Sequence, residues 1–523
     1  MDREESFWAW GYEDRQLDDE RRQQIAEHLP AVVGFAPGDA GTAPTLADVE
    51  LAAPRASVPT ALADVLTTSH EARVRHTYGR AYRDIVRGFH RDFASAPDAV
   101  AFPTSAADVV RVLDHCTANG IAVVPYGGGT SVVGGVECDR DGPVWSLDTT
   151  RMADVGWIDE KSRLASIGAG AKGPALERAL EAKGLTLRHF PQSFEHSTLG
   201  GWIATRAGGH FATLYTHIDD LVASTTTVTP AGTIATRTLP GSGAGPSPDR
   251  LILGSEGALG VITEAVVRVR PRPSFRARAT VHFKTFSEAV DAARTLAQSD
   301  LHPSNCRVLD EREAALNGVA FDRAVLIVAF ESDDHPLDAW LARAVEIVEG
   351  HGGEVQDQSA SDGASTWKAA FVDAPYLQSA LVSMGVLVDT FETACTWSAF
   401  EGLHAAIVHD VRDAMKRVAG TGRLTCRFTH VYPDGPAPYY TFVCPAKVGS
   451  ELSQWAEIKS AASEALLANG ATITHHHAVG RTHRPWYQRQ VPALFLDALA
   501  GAKARVDPKG IMNPGVLIDV DGA

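Results

Sequence analysis

Pro125-Tyr126-Gly127-Gly128-Gly129-Thr130-Ser131-Val132-Val133-Gly134-Gly135 puts five glycines in eleven residues. Glycine has no Cβ and takes positive φ at little steric cost, so successive backbone N–H groups can approach an anion that bulkier residues would hold away. Thr130 and Ser131 add hydroxyl donors. Upstream, Ser105 and Asp108 have capping-box spacing, Val109, Val112 and Leu113 give a helix its apolar face, and Asn119-Gly120 ends it. Ile121 to Val124 reads as a buried strand leading into the glycines. The loop is not G-x-G-x-x-G and no helical pattern follows, which argues against a Rossmann or Walker site. Taken alone, the stretch also fits a glycine-rich turn between strands.

A chain of 523 residues has room for two or three domains. Its formal net charge of -16 disfavours nonspecific binding to nucleic acid. Six scattered cysteines (116, 138, 306, 395, 426, 444) include no C-x-x-C pair, which fits a reduced compartment and gives no zinc pattern. The acidic opening Met1-Asp-Arg-Glu-Glu-Ser differs from a signal peptide, and no run nears the roughly 18 apolar residues of a membrane span. A soluble cytoplasmic protein is expected.

Residues 1–93 read as an N-terminal helical region wrapping the core, with Trp8, Trp10 and Tyr12 as packing anchors. Arg73, Arg75, Arg80, Arg83, Arg87 and Arg91 read as a solvated basic face, with contact to a phosphate ligand as the alternative. Over 94–273, strand and helix patterns alternate: Arg163 to Ile167 as strand, Pro174 opening a helix, and a hairpin around Pro230-Ala-Gly232. A second α+β segment spans 274–450, and 451–523 forms a C-terminal helical segment containing His475-His476-His477. On an extended backbone His475 and His477 would share one side and His476 the other. For a metal the only further ligand nearby is His483, so none is expected. Alternation in Pro438-Tyr-Tyr-Thr-Phe442 puts Tyr439 and Thr441 on one face, with Tyr440 and Phe442 on the other.

The glycine loop resembles the pyrophosphate loop of the vanillyl-alcohol-oxidase type of FAD-binding fold. Pro191-Gln-Ser-Phe-Glu-His-Ser-Thr-Leu-Gly-Gly-Trp202 and Gly254-Ser-Glu-Gly-Ala-Leu-Gly-Val-Ile-Thr-Glu264 resemble its second and third flavin segments. The triple histidine, with Phe391-Glu392-Thr393 and Trp8-Ala-Trp10-Gly-Tyr12, resembles the alkyldihydroxyacetonephosphate synthase family. The resemblance implies an α+β chain: a two-subdomain FAD-binding fold of the vanillyl-alcohol-oxidase/PCMH type over 94–273, an α+β cap (substrate) domain over 274–450, and a tail returning to the flavin domain. It assigns noncovalent FAD to Pro125, Gly127, Gly128, Gly129, Thr130, Ser131, Gly134, Pro191, Ser193, Ser197, Thr198, Gly200, Gly201, Glu256, Gly257, Gly260, Val261 and Ile262.

The implied chemistry exchanges the acyl group of acyl-dihydroxyacetone phosphate for a fatty alcohol through a flavin N5 adduct. Tyr439 falls on the family's proton acceptor, and His475, His476 and His477 on its active-site histidines. The family also implies a homodimer and peripheral membrane docking. One position departs. Where the family places an arginine for the substrate phosphate this chain has Gln378, and no Lys or Arg occurs between Lys368 and Arg412. Arg427, Lys447 and Arg481 are candidate substitutes. The departure keeps open an FAD-dependent 2-hydroxy-acid dehydrogenase or oxidase of the same superfamily. A flavin protein without turnover is a third reading, disfavoured by intact Tyr439 and histidines.

Overall fold

The computed structural model describes residues 3–356 and 375–519; Lys368 lies outside them. The chain forms two units, one drawn from Met1–Ala43, His210–Thr216 and Arg272–His475, the other from Pro44–Gly209, His217–Pro271 and His476–Ala523.

The second unit is built on two sheets. Four strands run in the order Leu66–Thr67, Ala99–Ala101, Val144–Asp148 and Ala122–Tyr126, the last three parallel. Parallel neighbours need a crossover, and the helix Ala106–Asn119 supplies it between Ala99–Ala101 and Ala122–Tyr126. Ser105 Oγ accepts from the Asp108 N–H at 3.2 Å and Gly120 closes the helix at φ +66°, so both ends form as the sequence predicts. Val109, Val112 and Leu113 pack with Val123, Trp145 and Leu147. The second sheet is antiparallel, ordered Val155–Asp159, Leu164–Gly168, Val261–Arg268, Val222–Thr229 and Gly232–Ala235. The expected hairpin closes with Thr229 opposite Gly232. The tail adds beside the strand that feeds the glycine loop, with Met512 bridging Val123 in parallel.

The first unit carries a seven-stranded antiparallel sheet, ordered Glu354–Val355, Phe275–Phe283, Ala324–Ser332, Asn305–Leu309, Arg423–Val431, Pro436–Pro445 and Val386–Glu392. Cys426, Tyr440 and Phe391 align across three strands, and Leu424 and Phe442 across two, making one face largely apolar up to Asp389 on the edge strand. The helices Phe286–Ala297 and Trp397–Ala419 cover it through Phe286 and Phe400 against Phe428, and His404 against Tyr440. The opposite face is mixed: Leu309, Val325 and Ile327 cluster on it, with polar rows on the last three strands. The helix Glu451–Ala468 belongs to this unit because Trp455 and Lys459 bond to the edge strand at Asp389 and Thr390, so the chain changes unit between His475 and His476, later than 450.

The expected N-terminal region is likewise divided, at Ala43/Pro44. Trp8 and Trp10 are buried anchors. The arginine run does not form the solvated face expected of it. Arg73 is 6% exposed and donates to the Pro97 and Ala52 carbonyls, while Arg83 and Arg87 converge on buried Glu137. Arg83 and Arg87 face inward because Tyr82, Ile85, Val86 and Phe89 carry their helix, Tyr82–Phe89, into the core.

Candidate active site

In the second unit the glycine loop leaves the strand Ala122–Tyr126 and runs against the Pro191–Trp202 segment. A Cβ on Gly128 would lie 1.9 Å from the His196 carbonyl oxygen, and Gly129 adopts φ +65°. Only glycine meets both demands, the first steric and the second conformational. Among the described residues, the backbone N–H groups of Gly127, Gly128, Gly129 and Thr130 meet no protein acceptor, whereas the Gly135 N–H donates to Ser131 Oγ at 2.9 Å. Four consecutive uncommitted donors on a part-buried loop are expensive unless an acceptor arrives. They fit the pyrophosphate of FAD, whose oxygens are acceptors only.

The other expected flavin residues lie in the same unit, many already committed within the fold. Ser197 Oγ accepts from the Trp202 indole at 2.7 Å and donates to the Ser193 carbonyl, while Ser193 Oγ donates to Ser197 Oγ. Thr198 caps the helix Leu199–Thr205 by accepting from the Gly201 N–H, and the Gly200 N–H donates to the Ala169 carbonyl at 2.7 Å. The N–H groups of Gly200 and Gly201 are therefore already spent, and the missing Cβ of Gly200 is what lets Ala169 pack against it. Gly257 packs on Pro125, Gly260 on the Val228 carbonyl, Gly134 against Arg83, and the Pro191 carbonyl accepts from Phe194. Val261 and Ile262 open the strand Val261–Arg268.

Glu256 was expected at the cofactor, but its carboxylate is spent on the chain. It accepts from the Val479 N–H at 2.9 Å and the Gly480 N–H at 2.7 Å, tethering the backbone that follows His476 and His477. Asn513, not singled out in the sequence, donates to the Glu256 carbonyl at 2.7 Å and the Gly135 carbonyl at 2.9 Å, tying the glycine loop to the tail. Burial outweighs the two N–H donors and pushes the Glu256 carboxyl up to about 7. A carboxyl raised above its unfolded value stabilises the fold fully below that unfolded value, and the contribution fades as pH rises through about 7. From about pH 5 to about pH 8, thermal unfolding should show wild type losing stability relative to Glu256→Gln, by up to about 1.4 kcal/mol per pH unit. A pH-independent gap between the two would refute the raised value.

In the first unit the face of the sheet opposite those helices carries a polar row across three strands: Glu392, Tyr439 and Arg427 are register partners, with Thr390, Thr441 and Thr425 in the next row. The expected alternation of Tyr439 and Thr441 against Tyr440 and Phe442 holds. Tyr439 is 6% exposed, and its hydroxyl donates to Thr390 Oγ1 at 3.0 Å. Burial pushes its phenol above the ordinary value, and Arg427 is the largest influence pulling it down. Arg427, a candidate phosphate group by sequence, is committed inside the unit: Nη1 donates to Glu313 Oε1 at 2.5 Å, and Glu313 is buried.

Gln378, on a helical stretch over 375–383, is committed too. Its Oε1 accepts from the Trp10 indole and its Nε2 donates to the Val388 carbonyl, both at 3.1 Å. Of the other candidate cations, Lys447 is exposed, and Arg481 donates to the Glu137 and Pro514 carbonyls.

The triple histidine is bent rather than extended, so the alternation expected of it does not apply. His475 ends the first unit. Its N–H donates to Glu392 Oε2 at 2.7 Å, its Nε2 lies 2.6 Å from Tyr432 Oη, and its ring is 4.8 Å from that of His430. These contacts turn the backbone away from strand geometry. His476 and His477 open the second unit with rings edge to face, centroids 4.5 Å apart. His483 is buried, with Nδ1 2.9 Å from the Ala478 carbonyl oxygen.

The chain matches two family models: an FAD binding domain over residues 97–237, and the C-terminal domain of FAD linked oxidases over 272–517. It is 31% identical over 482 residues to an alkyldihydroxyacetonephosphate synthase of Dictyostelium discoideum, covering 87% of this chain and 79% of the relative. A solved alkyldihydroxyacetonephosphate synthase superposes with TM-score 0.82 at 25% identity, covering 98% of this chain and 97% of that one. A substrate-bound p-cresol methylhydroxylase, 16% identical, gives TM-score 0.69 over 88% of this chain and 95% of its own, which shows the shared PCMH-type fold.

Proposed function

Because this chain belongs to the alkyldihydroxyacetonephosphate synthase family, we propose that it exchanges the acyl group of acyl-dihydroxyacetone phosphate for a long-chain alcohol, releasing a fatty acid and forming an ether, with FAD held noncovalently. The observation that carries the assignment is the buried phenol of Tyr439, set in a row between Glu392 and Arg427. FAD, when bound, would supply a nucleophilic N5 for the exchange. Gly127, Gly128, Gly129 and Thr130 would hold its pyrophosphate through their N–H groups.

Ionised to the phenolate, Tyr439 accepts the α-proton of the substrate on Oη and returns it. His475, oriented by Glu392 and Tyr432, and His476 and His477, followed by the Glu256 tether, donate to substrate oxygens near neutral pH. The same reading makes the protein a cytoplasmic homodimer that meets its lipids at a membrane surface. Six free thiols support the reduced compartment, and Leu494 and Phe495, 79% and 50% exposed on the helix Ala493–Val506, support docking; sedimentation and vesicle flotation check both. Among the described residues, no helix is long and apolar enough to cross a membrane.

The test is anaerobic. Purified holoenzyme is mixed with a long-chain alcohol and acyl-dihydroxyacetone phosphate, and in parallel with the unphosphorylated acyl donor, because Gln378 brings no charge to the family's phosphate position. Ether and fatty acid should appear in equal amounts without any electron acceptor, and faster from the phosphorylated donor. Equal rates would remove the phosphate from the recognised substrate. Bleaching of the flavin by a 2-hydroxy acid, with no ether from either donor, would replace the assignment with the redox one.

A further inference from the structure

Arg427 and Tyr439 sit opposite each other on neighbouring strands, and the guanidinium carbon lies 3.9 Å from the centroid of the phenol ring. A cation stacked this closely is attracted to the ring face and favours a phenolate over a phenol. Arg427 is held there from the far side. Glu313 takes its Nη1 on one carboxylate oxygen and the Thr425 hydroxyl on the other, and Thr425 lies two residues before Arg427 on the same strand face. The helix Glu311–Leu316, which carries Glu313, is locked to the same strand: its cap Asp310 accepts from the Cys426 N–H at 2.8 Å. Side chains of Glu313 and Arg427 are 1% and 9% exposed, so water screens the pair little.

We propose that Glu313 is a positioning residue that clamps Arg427 over the ring of Tyr439 and, through its own negative charge, sets how much of the cation's field the phenol feels. The inference rests on the proposed proton-acceptor role of Tyr439. The other groups around the phenol cannot replace Arg427. Glu392, its register partner on the edge strand, and Asp389, on that same strand, are carboxylates that disfavour a phenolate. Asp389 accepts from the Trp455 indole at 2.6 Å, and Lys459, on the same helix as Trp455, donates to the Thr390 carbonyl and lies 3.8 Å from Asp389. Arg307, on the strand beyond Arg427, loses much of its own basicity to burial and to Arg427. Arg427 is thus the cation in contact with the ring and the chief opponent of burial there.

The test uses holoenzyme labelled with ¹³C at tyrosine Cζ, the Tyr439 resonance being the one missing from Tyr439→Phe. Its titration is followed by NMR beside the pH–rate profile of ether formation. Arg427→Met should raise the Tyr439 titration midpoint and Glu313→Gln should lower it, each by about one pH unit or more. Arg427→Lys, which keeps the charge but not the flat fork, should fall between wild type and Arg427→Met. A salt bridge whose field does not reach the phenol would move none of these midpoints. Folded Glu313→Gln with an unchanged midpoint overturns the proposal, and that variant decides the matter even if Arg427→Met fails to fold. Midpoints that move while the rising limb of the rate profile stays fixed support the clamp and sink the proton-acceptor role of Tyr439, so the two failures are distinguishable.

Discussion

Gly128→Ala should purify colourless, with FAD occupancy falling more than about tenfold from that of yellow wild type, because one methyl group displaces the loop that presents the cradle. The added Cβ would stand 1.9 Å from the His196 carbonyl oxygen and 2.9 Å from Ser197 Cα, so it meets backbone on the facing segment and no flexible side chain can yield. The loop itself must move, and the N–H groups of Gly127 to Thr130 move with it. Each lost charge-assisted hydrogen bond to phosphate costs about 1.5–3 kcal/mol, so losing even one accounts for a tenfold drop. Gly128→Asp should be more severe, adding a negative charge beside the pyrophosphate. Gly241→Ala, whose Cβ would meet nothing within 4 Å, is the control for a generic glycine effect. Acid should release FAD intact from wild type. Flavin that stays with denatured protein would disprove noncovalent attachment, and normal occupancy in Gly128→Ala would remove the loop from the site.

What could be read from the sequence was local. The Ser105–Asp108 cap, the Gly120 stop, the hairpin around Gly232 and the facing of Tyr439 depend on partners a few residues apart, where spacing alone encodes contact. The glycine loop was legible for a related reason, since a donor cradle made of backbone needs only glycines in a row. Side-chain commitments across hundreds of residues leave no such trace. Nothing near Glu256 announces Val479 and Gly480 as its partners, and nothing near Arg427 announces Glu313. The arginines at 73, 83 and 87 show the same blindness in reverse. Their charge suggested water, but buried carbonyls and Glu137 were waiting to pair with them. The histidine triplet was misjudged in shape because its bend is imposed by Glu392 and Tyr432, both remote in sequence.

Tyr439→Phe should keep its flavin and fold yet lose about 10²–10⁴-fold in ether formation, the range of a general acid–base group. The substitution removes one oxygen. The ring remains in the strand Pro436–Pro445, paired on both sides and stacked under Arg427, and the lost bond to Thr390 is a neutral one worth about 1 kcal/mol of stability. The catalytic loss corresponds to about 2.7–5.4 kcal/mol of transition-state stabilisation, well above that structural cost, so the two effects separate cleanly. Because the hydroxyl is proposed to act on the proton in flight and not on the bound ground state, kcat and kcat/KM should fall together while KM holds. A rise in KM alone would make Tyr439 a binding group. A loss under tenfold would leave it a packing residue, and the buried row of Glu392, Tyr439 and Arg427 would then be a way of holding three strands together, with the proton passing through the histidines instead.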